Sequence, residues 1–323
     1  MEKMIVGVDL GGTTIKLALL TKAGEFIEKW EIPTNKSEKG VHIPKSIADA
    51  IETKLAEMNK TKEEIAGIGI GAPGSVRLED GLIFAAVNLG WENFPLKAEL
   101  EKEAGIPVIV DNDANIAAVG EMWKGAGNGA KDVVFVTLGT GVGGGVIVNG
   151  HVAHGVSGSA GEIGHITVLP ENGALCNCGK TGCLETISSA TGIVRIANEK
   201  LNHSKKDSEL RRIALAREIT TKDVFEAYSS GDELATEIID YVMKYLALGL
   251  AAVGNTLNPE SIVIGGGVSK AGDILLKPLQ KYFDTFAFTT VKDSTKLSIA
   301  ELGNDAGAIG AAYLVKKYIL NEI

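Results

Sequence analysis

The sequence predicts an α/β protein made of two related halves, and three features support that fold class. Two short strands, at residues 4–10 and 15–21, surround a glycine-rich turn near the start of the chain. The same order of strand, glycine turn and strand returns at residues 133–148, where Thr137-Leu138-Gly139 takes the place of Asp9-Leu10-Gly11. Segments with helical spacing of apolar residues separate and follow these strands. We therefore expect two related halves with a cleft between them.

Apolar spacing and turn residues predict the other elements in order: a helix at 41–58, a strand at 65–70, a helix at 96–103, and strands at 107–110, 261–264 and 297–299. The last third of the chain is mainly helical. We predict a smaller N-terminal domain of residues 1–110, completed by a C-terminal helix at about 307–323. Residues 111–306 then form a larger second domain.

Composition and charge restrict the class of protein. The chain has 323 residues, of which 45% are hydrophobic and 23% are charged, as in a globular protein of two ordinary domains. Its net charge of −9 gives no electrostatic support to nucleic-acid binding, so we expect small-molecule partners. No stretch approaches the roughly 18 apolar residues of a membrane span, and the start does not resemble a signal peptide. We expect a cytoplasmic protein with no membrane partner.

Three glycine-rich turns are candidates for phosphate binding, because glycine lets backbone N–H groups approach a phosphate closely. We expect the first two turns to hold a triphosphate, with Asp9 as a carboxylate for Mg²⁺, and the third to suit an adenosine. The alternative is that each turn only makes a tight hairpin. The candidate nucleotide-binding residues are Asp9, Gly11, Gly12, Thr13, Thr14 and Lys16, then Thr140 and Gly141, then Gly265, Gly266 and Gly267.

Two other nucleotide-binding motifs fit less well. Gly139, Gly141 and Gly144 have the G-x-G-x-x-G spacing of a dinucleotide site. The glycines of that site lead into a helix, whereas residues 146–150 predict a strand and a turn, so a Rossmann dehydrogenase is not favoured. A P-loop is not favoured either, because Ala174 stands where its first glycine should be.

All three cysteines lie in one short segment, Cys176-x-Cys178-x4-Cys183, with His165 upstream. An odd count argues against a disulfide framework. Zinc in structural sites prefers a tetrahedron of thiolates and imidazole, so we predict a structural Zn²⁺ site formed by His165 and the three cysteines. Three incidental buried thiols are the alternative.

Carboxylates mark a candidate site for a hydroxylated substrate. The segment Asp111-Asn112-Asp113-Ala114-Asn115 lies where a strand ends and a helix begins, so a carboxylate there could accept a proton from a hydroxyl group. A helix N-cap is the alternative. Glu162, His165 and Glu185 surround the cysteines and could pair with sugar hydroxyls, which both donate and accept hydrogen bonds. Solvated loop glutamates are the alternative there.

The chain resembles the ROK family of sugar kinases and repressors, and within it the bacterial glucokinase branch, over essentially its whole length. The motifs that carry the resemblance are Asp9-Leu10-Gly11-Gly12-Thr13, Asn112-Asp113-Ala114-Asn115, residues 138–145, Gly161-Glu162-Ile163-Gly164-His165 and residues 176–185. It implies the two-domain actin-like ATPase (ribonuclease H-like) fold, with a duplicated β-meander core and an interdomain cleft. It also implies that Asp113 is the catalytic base. The sugar contacts that it implies are Asn112, Asp113, Glu162, His165, Glu185, Gly74 and Asn88.

The resemblance implies transfer of the γ-phosphoryl group of Mg·ATP to the 6-hydroxyl of glucose, in a homodimer or homotetramer. The alternative acceptors are mannose, fructose, N-acetylmannosamine and N-acetylglucosamine. An alternative of a different class is a non-catalytic sugar-sensing protein. Family repressors carry a DNA-reading module before the first glycine turn, and that turn begins here at Gly11. We therefore expect no nucleic-acid partner.

Overall fold

The computed structural model describes residues 3–322. Its strands are β1 (Met4–Leu10), β2 (Thr14–Leu20), β3 (Phe26–Pro33), β4 (Ile65–Ala72), β5 (Ser75–Arg77), β6 (Leu82–Ala86), β7 (Trp91–Phe94), β8 (Val108–Asn112), β9 (Val133–Leu138), β10 (Val142–Val148), β11 (His151–Val152), β12 (Ser261–Gly265) and β13 (Lys296–Ile299).

Its α-helices are α1 (Ile43–Glu57), α2 (Leu96–Ala104), α3 (Asp113–Lys124), α4 (Glu185–Ser188), α5 (Ala190–His203), α6 (Glu209–Ala216), α7 (Thr221–Ser229), α8 (Glu233–Leu257), α9 (Asp273–Phe286), α10 (Thr289–Ser294) and α11 (Ala306–Leu314). A π-helical turn, Val315–Ile319, continues α11. Among residues 3–322, none of these helices combines the length and the apolar character that crossing a membrane requires.

The first compact unit contains residues 3–129, 145–160 and 301–322. Its main sheet has the strand order β3-β2-β1-β4-β8. β1 pairs antiparallel with β2 and parallel with β4, and β4 pairs parallel with β8. Apolar clusters cover both faces of this sheet, which explains why β1 and β4 are almost entirely apolar and buried. A small antiparallel sheet, β5-β6-β7, follows β4.

Helix α11 lies unusually close to this sheet because glycines face it. A Cβ added to Gly69 would collide with the carbonyl oxygen of Ala311, and one added to Gly120 in α3 would collide with that of Ala306. The C-terminal helix therefore packs within the first unit, together with α3. The predicted domain limit at residue 110 falls before α3, so the edges of the compact unit and the predicted limit differ. The limits of the functional domains stay a prediction.

The second compact unit contains residues 130–144 and 161–300. Within this unit, β12 pairs parallel with β9 and with β13. The strand order of the sheet that contains these three strands is β11-β10-β9-β12-β13. The core of this unit is formed largely by helices, of which α8 contributes the most buried side chains. The most apolar stretch that the sequence offered as a membrane span, residues 245–253, lies inside α8, where Leu246 and Leu250 are fully buried.

The two main sheets share one strand order. In each sheet the three strands of a meander come first, in reverse chain order, and two further strands follow that run parallel to the first strand of the meander. This confirms the duplicated core that the sequence predicts. Most predicted strand bounds differ from the observed ones by two residues or fewer, and the largest error is at the second strand of the later meander, which begins at Val142 and not at Gly145. Position 144 of this strand requires glycine because the backbone of Gly161 lies close to it: an added Cβ would collide with the carbonyl oxygen of Gly161.

Candidate functional site

The predicted proton-accepting segment forms the junction between β8 and α3. Asn112 caps the helix: its Oδ1 accepts hydrogen bonds from the N–H groups of Ala114 at 2.9 Å and Asn115 at 3.2 Å. Its Nδ2 donates to the carbonyl oxygen of Gly74 at 3.0 Å. The N-cap alternative therefore describes Asn112, and Asp113 lies one residue further on, in the first turn of α3.

The environment of Asp113 changes its acidity. The side chain is accessible to solvent, but the protein packed around it hinders its hydration. This desolvation, reinforced by the negative charge of Asp9, raises the pKa of Asp113 to about 6, although a hydrogen bond from the N–H of Ala114 opposes the rise. Such a carboxyl group is mostly ionised at neutral pH and is a stronger base than an ordinary aspartate.

The first glycine turn joins β1 to β2 and is held by a neighbouring strand end. Gly11 donates its N–H to the carbonyl oxygen of Thr14 at 3.1 Å. The hydroxyl of Thr34 donates to the carbonyl oxygen of Gly11 at 2.7 Å. Asn88 lies beside the turn, because a Cβ added to Gly12 would be 3.7 Å from the Asn88 Cβ. The turn is therefore supported by the protein and has a polar side chain next to it.

Asp9 is a half-buried carboxyl group next to this turn. It faces Lys16 across the β1–β2 ladder, and Gly307 of α11 packs against it. Burial raises the pKa of Asp9, and Lys16 opposes that rise. An oxygen ligand whose charged form is disfavoured by burial gains stability from a nearby cation, so Asp9 fits a role toward Mg²⁺.

The second glycine turn lies between β9 and β10 and is supported by α4 and α5. The hydroxyl of Thr191 donates to the carbonyl oxygen of Thr140 at 2.9 Å, and the N–H of Ala190 donates to that of Gly139 at 2.8 Å. The N–H of Val142 donates to Oε2 of Glu185 at 2.9 Å. The third glycine run, Gly265–Gly267, follows β12 and leads into a short 3-10 turn before α9.

The predicted metal ligands converge. The ligand atoms of His165, Cys176, Cys178 and Cys183 all lie within 4.8 Å of one another. The Cys176 Sγ is 3.6 Å from Nδ1 of His165, and the Sγ atoms of Cys178 and Cys183 are also 3.6 Å apart. A tetrahedral zinc ion with bonds of about 2.0–2.3 Å separates its ligand atoms by roughly 3.3–3.8 Å. The donor set therefore fits zinc, and the two separations of 3.6 Å lie within this range.

The other face of His165 meets a predicted sugar ligand. Its Nε2 lies 3.8 Å from the carboxylate of Glu162, while Lys180 donates to its backbone carbonyl at 2.9 Å. One ring nitrogen thus faces the cysteines and the other faces Glu162. Glu185 is engaged differently, because one oxygen accepts from Val142 and the other lies 3.6 Å from the Cys176 Sγ.

Comparison with known proteins identifies the family. Residues 5–318 match the model of the ROK family. The chain belongs to the ROK family. A glucokinase of Halalkalibacterium halodurans is 56% identical over 316 residues, which cover 98% of this chain and 96% of that protein.

Two solved ROK structures are also similar. A ROK glucokinase from Streptomyces griseus in complex with glucose and AMPPNP has a TM-score of 0.76 and 34% identity, covering 96% of this chain and 98% of that one. A ROK transcriptional regulator, a homologue of the Escherichia coli MLC protein, has a TM-score of 0.85 and 27% identity, covering 98% of this chain and 78% of that one. ROK sugar kinases have the actin-like ATPase fold, which confirms the predicted fold class.

The predicted ROK site residues fall into two groups, one in each unit. The first unit holds Asp9, Gly11, Gly12, Thr13, Thr14, Lys16, Gly74, Asn88, Asn112 and Asp113. The second unit holds Thr140, Gly141, Glu162, His165, Cys176, Cys178, Cys183, Glu185, Gly265, Gly266 and Gly267. Within each group the structure brings most of these residues into contact, and their roles stay predictions.

Two features of the site were missed. Asp111, the first residue of the predicted base segment, forms a partly buried pair with His154, 43 positions away. Glu185 supports the second glycine turn besides its position near the cysteines. No local pattern predicts either contact, because both join segments that are distant in sequence. For the contact of Asp111, the only signal in the sequence is the cluster of acidic residues at 111–113.

Proposed function

We propose that this chain is an ATP-dependent glucokinase, which converts D-glucose and ATP to glucose 6-phosphate and ADP. The observation that carries this proposal is Asp113, a solvent-accessible carboxylate at the start of α3 with a pKa raised to about 6. The 56% identity to a protein named glucokinase supports glucose as the acceptor. A ROK glucokinase with glucose and AMPPNP bound supports ATP as the donor.

In the proposed mechanism, Asp113 accepts the proton of the glucose 6-hydroxyl as that oxygen attacks the γ-phosphorus of ATP. The bond from the 6-oxygen to phosphorus forms, the bond from phosphorus to the β–γ bridging oxygen breaks, and ADP leaves. General-base catalysis of this kind contributes about 10²–10⁴-fold in rate. Most of the remaining acceleration comes from holding the two substrates in line.

The two supported glycine turns are the proposed phosphate-binding elements, since glycine lets backbone N–H groups approach a phosphate closely. Asp9 would hold Mg²⁺, directly or through water. When bound with ATP, Mg²⁺ neutralises charge on the phosphates. Lys16 faces Asp9 and keeps positive charge beside the same turn. Gly265–Gly267 form the proposed adenosine contact.

The proposed sugar contacts are Asn112, Asp113, Glu162, His165, Glu185, Gly74 and Asn88. The proposed zinc ligands are His165 and the three cysteines. Zinc, when bound, would fix the imidazole through Nδ1 and leave Nε2 for a hydroxyl group. This orientation agrees with the 3.8 Å approach of Nε2 to Glu162, another proposed sugar contact.

We further propose a cytoplasmic homodimer or homotetramer with no nucleic-acid partner. A net charge of −9 opposes binding to a polyanion. Light scattering of the purified protein measures the oligomeric state, and a salt titration with duplex DNA tests the last point. Binding of DNA below micromolar Kd at 150 mM salt would contradict it.

The test of the proposed function is turnover with a panel of sugars. Purified protein is assayed with Mg·ATP and glucose, mannose, fructose, N-acetylmannosamine or N-acetylglucosamine, beside Asp113→Ala and the surface control Asp49→Asn. Glucose should give the highest kcat/KM, the Asp113 variant should lose at least about 10²-fold, and the control should match the wild type. A higher kcat/KM for another sugar would replace glucose as the substrate.

A non-catalytic sugar-sensing protein is the second candidate, favoured by the TM-score of 0.85 to a ROK transcriptional regulator. It predicts glucose binding by calorimetry without ADP formation. Glucose-dependent ADP formation that disappears in the Asp113 variant would exclude it.

A further inference from the structure

A partly buried pair of ionisable side chains lies next to the segment that carries the proposed base. The side chain of Asp111 is 1% exposed and that of His154 is 19% exposed. Nε2 of His154 donates to Oδ2 of Asp111 at 2.8 Å. This contact raises the pKa of His154, although burial opposes the rise, so the charged form of the ring is favoured.

The other oxygen of Asp111 holds the chain on both sides of Asp113. Its Oδ1 accepts from the N–H of Asn112 at 2.7 Å and from Nδ2 of Asn115 at 2.9 Å. Asn112 precedes Asp113 and Asn115 follows it. One buried carboxyl group therefore holds a residue on each side of the proposed base, Asn112 and Asn115, while Asp113 itself is exposed to solvent.

His154 is the first residue of a closed loop. Its carbonyl oxygen accepts from the N–H of Ala160 at 3.0 Å, which closes residues 154–160 into a ring. Gly158 brings this loop against β5, since an added Cβ would lie 2.7 Å from the carbonyl oxygen of Val76. The contact with Asp111 therefore connects the base segment to a loop that is held by its own hydrogen bond and by its packing against β5.

A third ionisable group lies within electrostatic range of Asp111. Tyr318, in the π-helical turn after α11, feels the charge of Asp111, and its pKa is raised mainly by burial and further by that carboxyl group. The phenol therefore stays neutral over the working range of pH. The ion-pair partner of Asp111 is therefore His154 and not the phenol.

We propose that Asp111 and His154 are a positioning pair for Asp113, holding the base segment and the 154–160 loop in the geometry that proton transfer needs. The inference rests on the proposed function. Neither residue is a catalytic residue, because Asp111 is buried and His154 spends its Nε2 on Asp111. Displacements of about 1 Å in such a segment can cost about 100-fold in rate, so the pair should affect kcat more than substrate affinity.

The test compares two variants of His154 with a matched control. His154→Leu removes the donor, His154→Gln keeps an N–H donor of similar reach, and His151→Leu alters an exposed histidine in the same hairpin that contacts the Asn149 carbonyl. We expect His154→Leu to lower kcat by about 10- to 100-fold with KM for ATP changed less than about 3-fold. The decrease in log kcat should be smaller by at least a third in His154→Gln than in His154→Leu. The control His151→Leu should have the kcat of the wild type.

A second readout is the acidic limb of the pH profile. Loosening of the segment changes the hydration of Asp113, and the loss of His154 leaves the charge of Asp111 without its partner, so in His154→Leu the limb should move away from its wild-type position near pH 6. Full kcat with an unchanged limb in folded His154→Leu would overturn the proposal, because a merely structural pair would change only stability.

Hydrogen exchange separates this inference from the proposed function. In ligand-free protein, the amides of Ala114 and Asn115 should exchange at least about 10-fold faster in both Asp111→Asn and His154→Leu than in the wild type. If the wild type turns over no sugar, the proposed function fails, and exchange still decides whether the pair positions the segment. Unchanged exchange at these amides would overturn the positioning role even in an active kinase.

Discussion

The carboxylate of Glu185 accepts a hydrogen bond from the N–H of Val142 at 2.9 Å, and its second oxygen lies 3.6 Å from the Sγ of Cys176. One side chain thus joins the cysteine cluster to the second glycine turn. Zinc, when bound to the cluster, would fix Cys176 and therefore also the position of Glu185. The state of the cluster should then be felt at the turn proposed to bind phosphate.

Substitution of Gly141 tests the packing of this turn. A Cβ added to Gly141 would collide with Oε2 of Glu185, whereas one added to Gly139 would meet no protein atom within 4 Å. We expect Gly141→Ala to destabilise the fold by about 1–3 kcal/mol. Gly139→Ala should stay within about 0.5–1 kcal/mol of the wild type. Urea unfolding measures both values, and equal stabilities would contradict the contact.

The proposed zinc site predicts a bound ion and a stability that depends on it. Metal analysis should find one zinc per chain. Removal of the ion by a chelator, or the substitution His165→Ala, should lower Tm by about 5 °C or more. His203→Ala, at an exposed histidine whose ring contacts the Glu199 carbonyl, is the matched control and should leave Tm unchanged. A chain without zinc and with an unaffected Tm would favour incidental thiols.

The raised pKa of Asp113 predicts an acidic limit to activity. Burial raises this pKa to about 6, so the base becomes protonated as the pH falls through that value. Below it, kcat/KM should fall about tenfold per pH unit. A profile of kcat/KM from pH 4.5 to 8 measures the limb. A limb near pH 4 would show that Asp113 has an ordinary acidity.

The same rise in the pKa of Asp113 predicts that a substitution that lowers activity increases the stability of the fold. Because the pKa of Asp113 is higher in the folded protein than its usual value of 3.8, ionising this group opposes folding as the pH rises from about 4 to about 6. Asp113→Asn removes that charge. The variant should therefore gain stability relative to the wild type over this range and keep the gain above it. Urea unfolding at pH 4.5 and 7.5 measures the change, and a gap that shrinks with rising pH would contradict it.

The buried contacts of Glu121 predict that its substitution lowers the stability of the fold at a place away from the candidate site. This fully buried carboxylate in α3 accepts hydrogen bonds from the N–H groups of Leu302 at 2.8 Å, Ala126 at 2.9 Å and Glu301 at 3.1 Å. Glu121→Gln places an amide donor against backbone donors, so we expect a loss of about 2–4 kcal/mol in urea unfolding. Glu218→Gln, at an exposed glutamate, should change stability by less than about 0.5 kcal/mol.

Most of the fold could be predicted from the sequence, because the periodic spacing of apolar residues and the turn residues between elements are clear along most of the chain. β1 and β9 have the predicted bounds, and the junction at Asp111–Asp113 lies between β8 and α3 as expected. The small sheet β5-β6-β7 was not predicted, since strands such as Ser75–Arg77 are too short to show a period. The start of β10 was missed because Gly143 and Gly144 suggest a turn, whereas Gly144 is required by a close neighbour.

The candidate site was predictable where its residues are neighbours in sequence, as in the cysteine cluster, and less so where they are not. The contact between Asp111 and His154 joins residues 43 positions apart, and its formation depends on the packing of the 154–160 loop. The rise in the pKa of Asp113 depends on atoms from many segments, which no motif encodes. Such features follow only from the folded chain.

The central claim is phosphoryl transfer to glucose with Asp113 as the base, and ³¹P NMR of one reaction mixture tests it most directly. Wild-type protein with Mg·ATP and glucose should produce glucose 6-phosphate and ADP in equal amounts. Asp113→Asn should produce them at least about 10²-fold more slowly. An absence of sugar phosphate with the wild type, or equal rates for the two proteins, would contradict the claim.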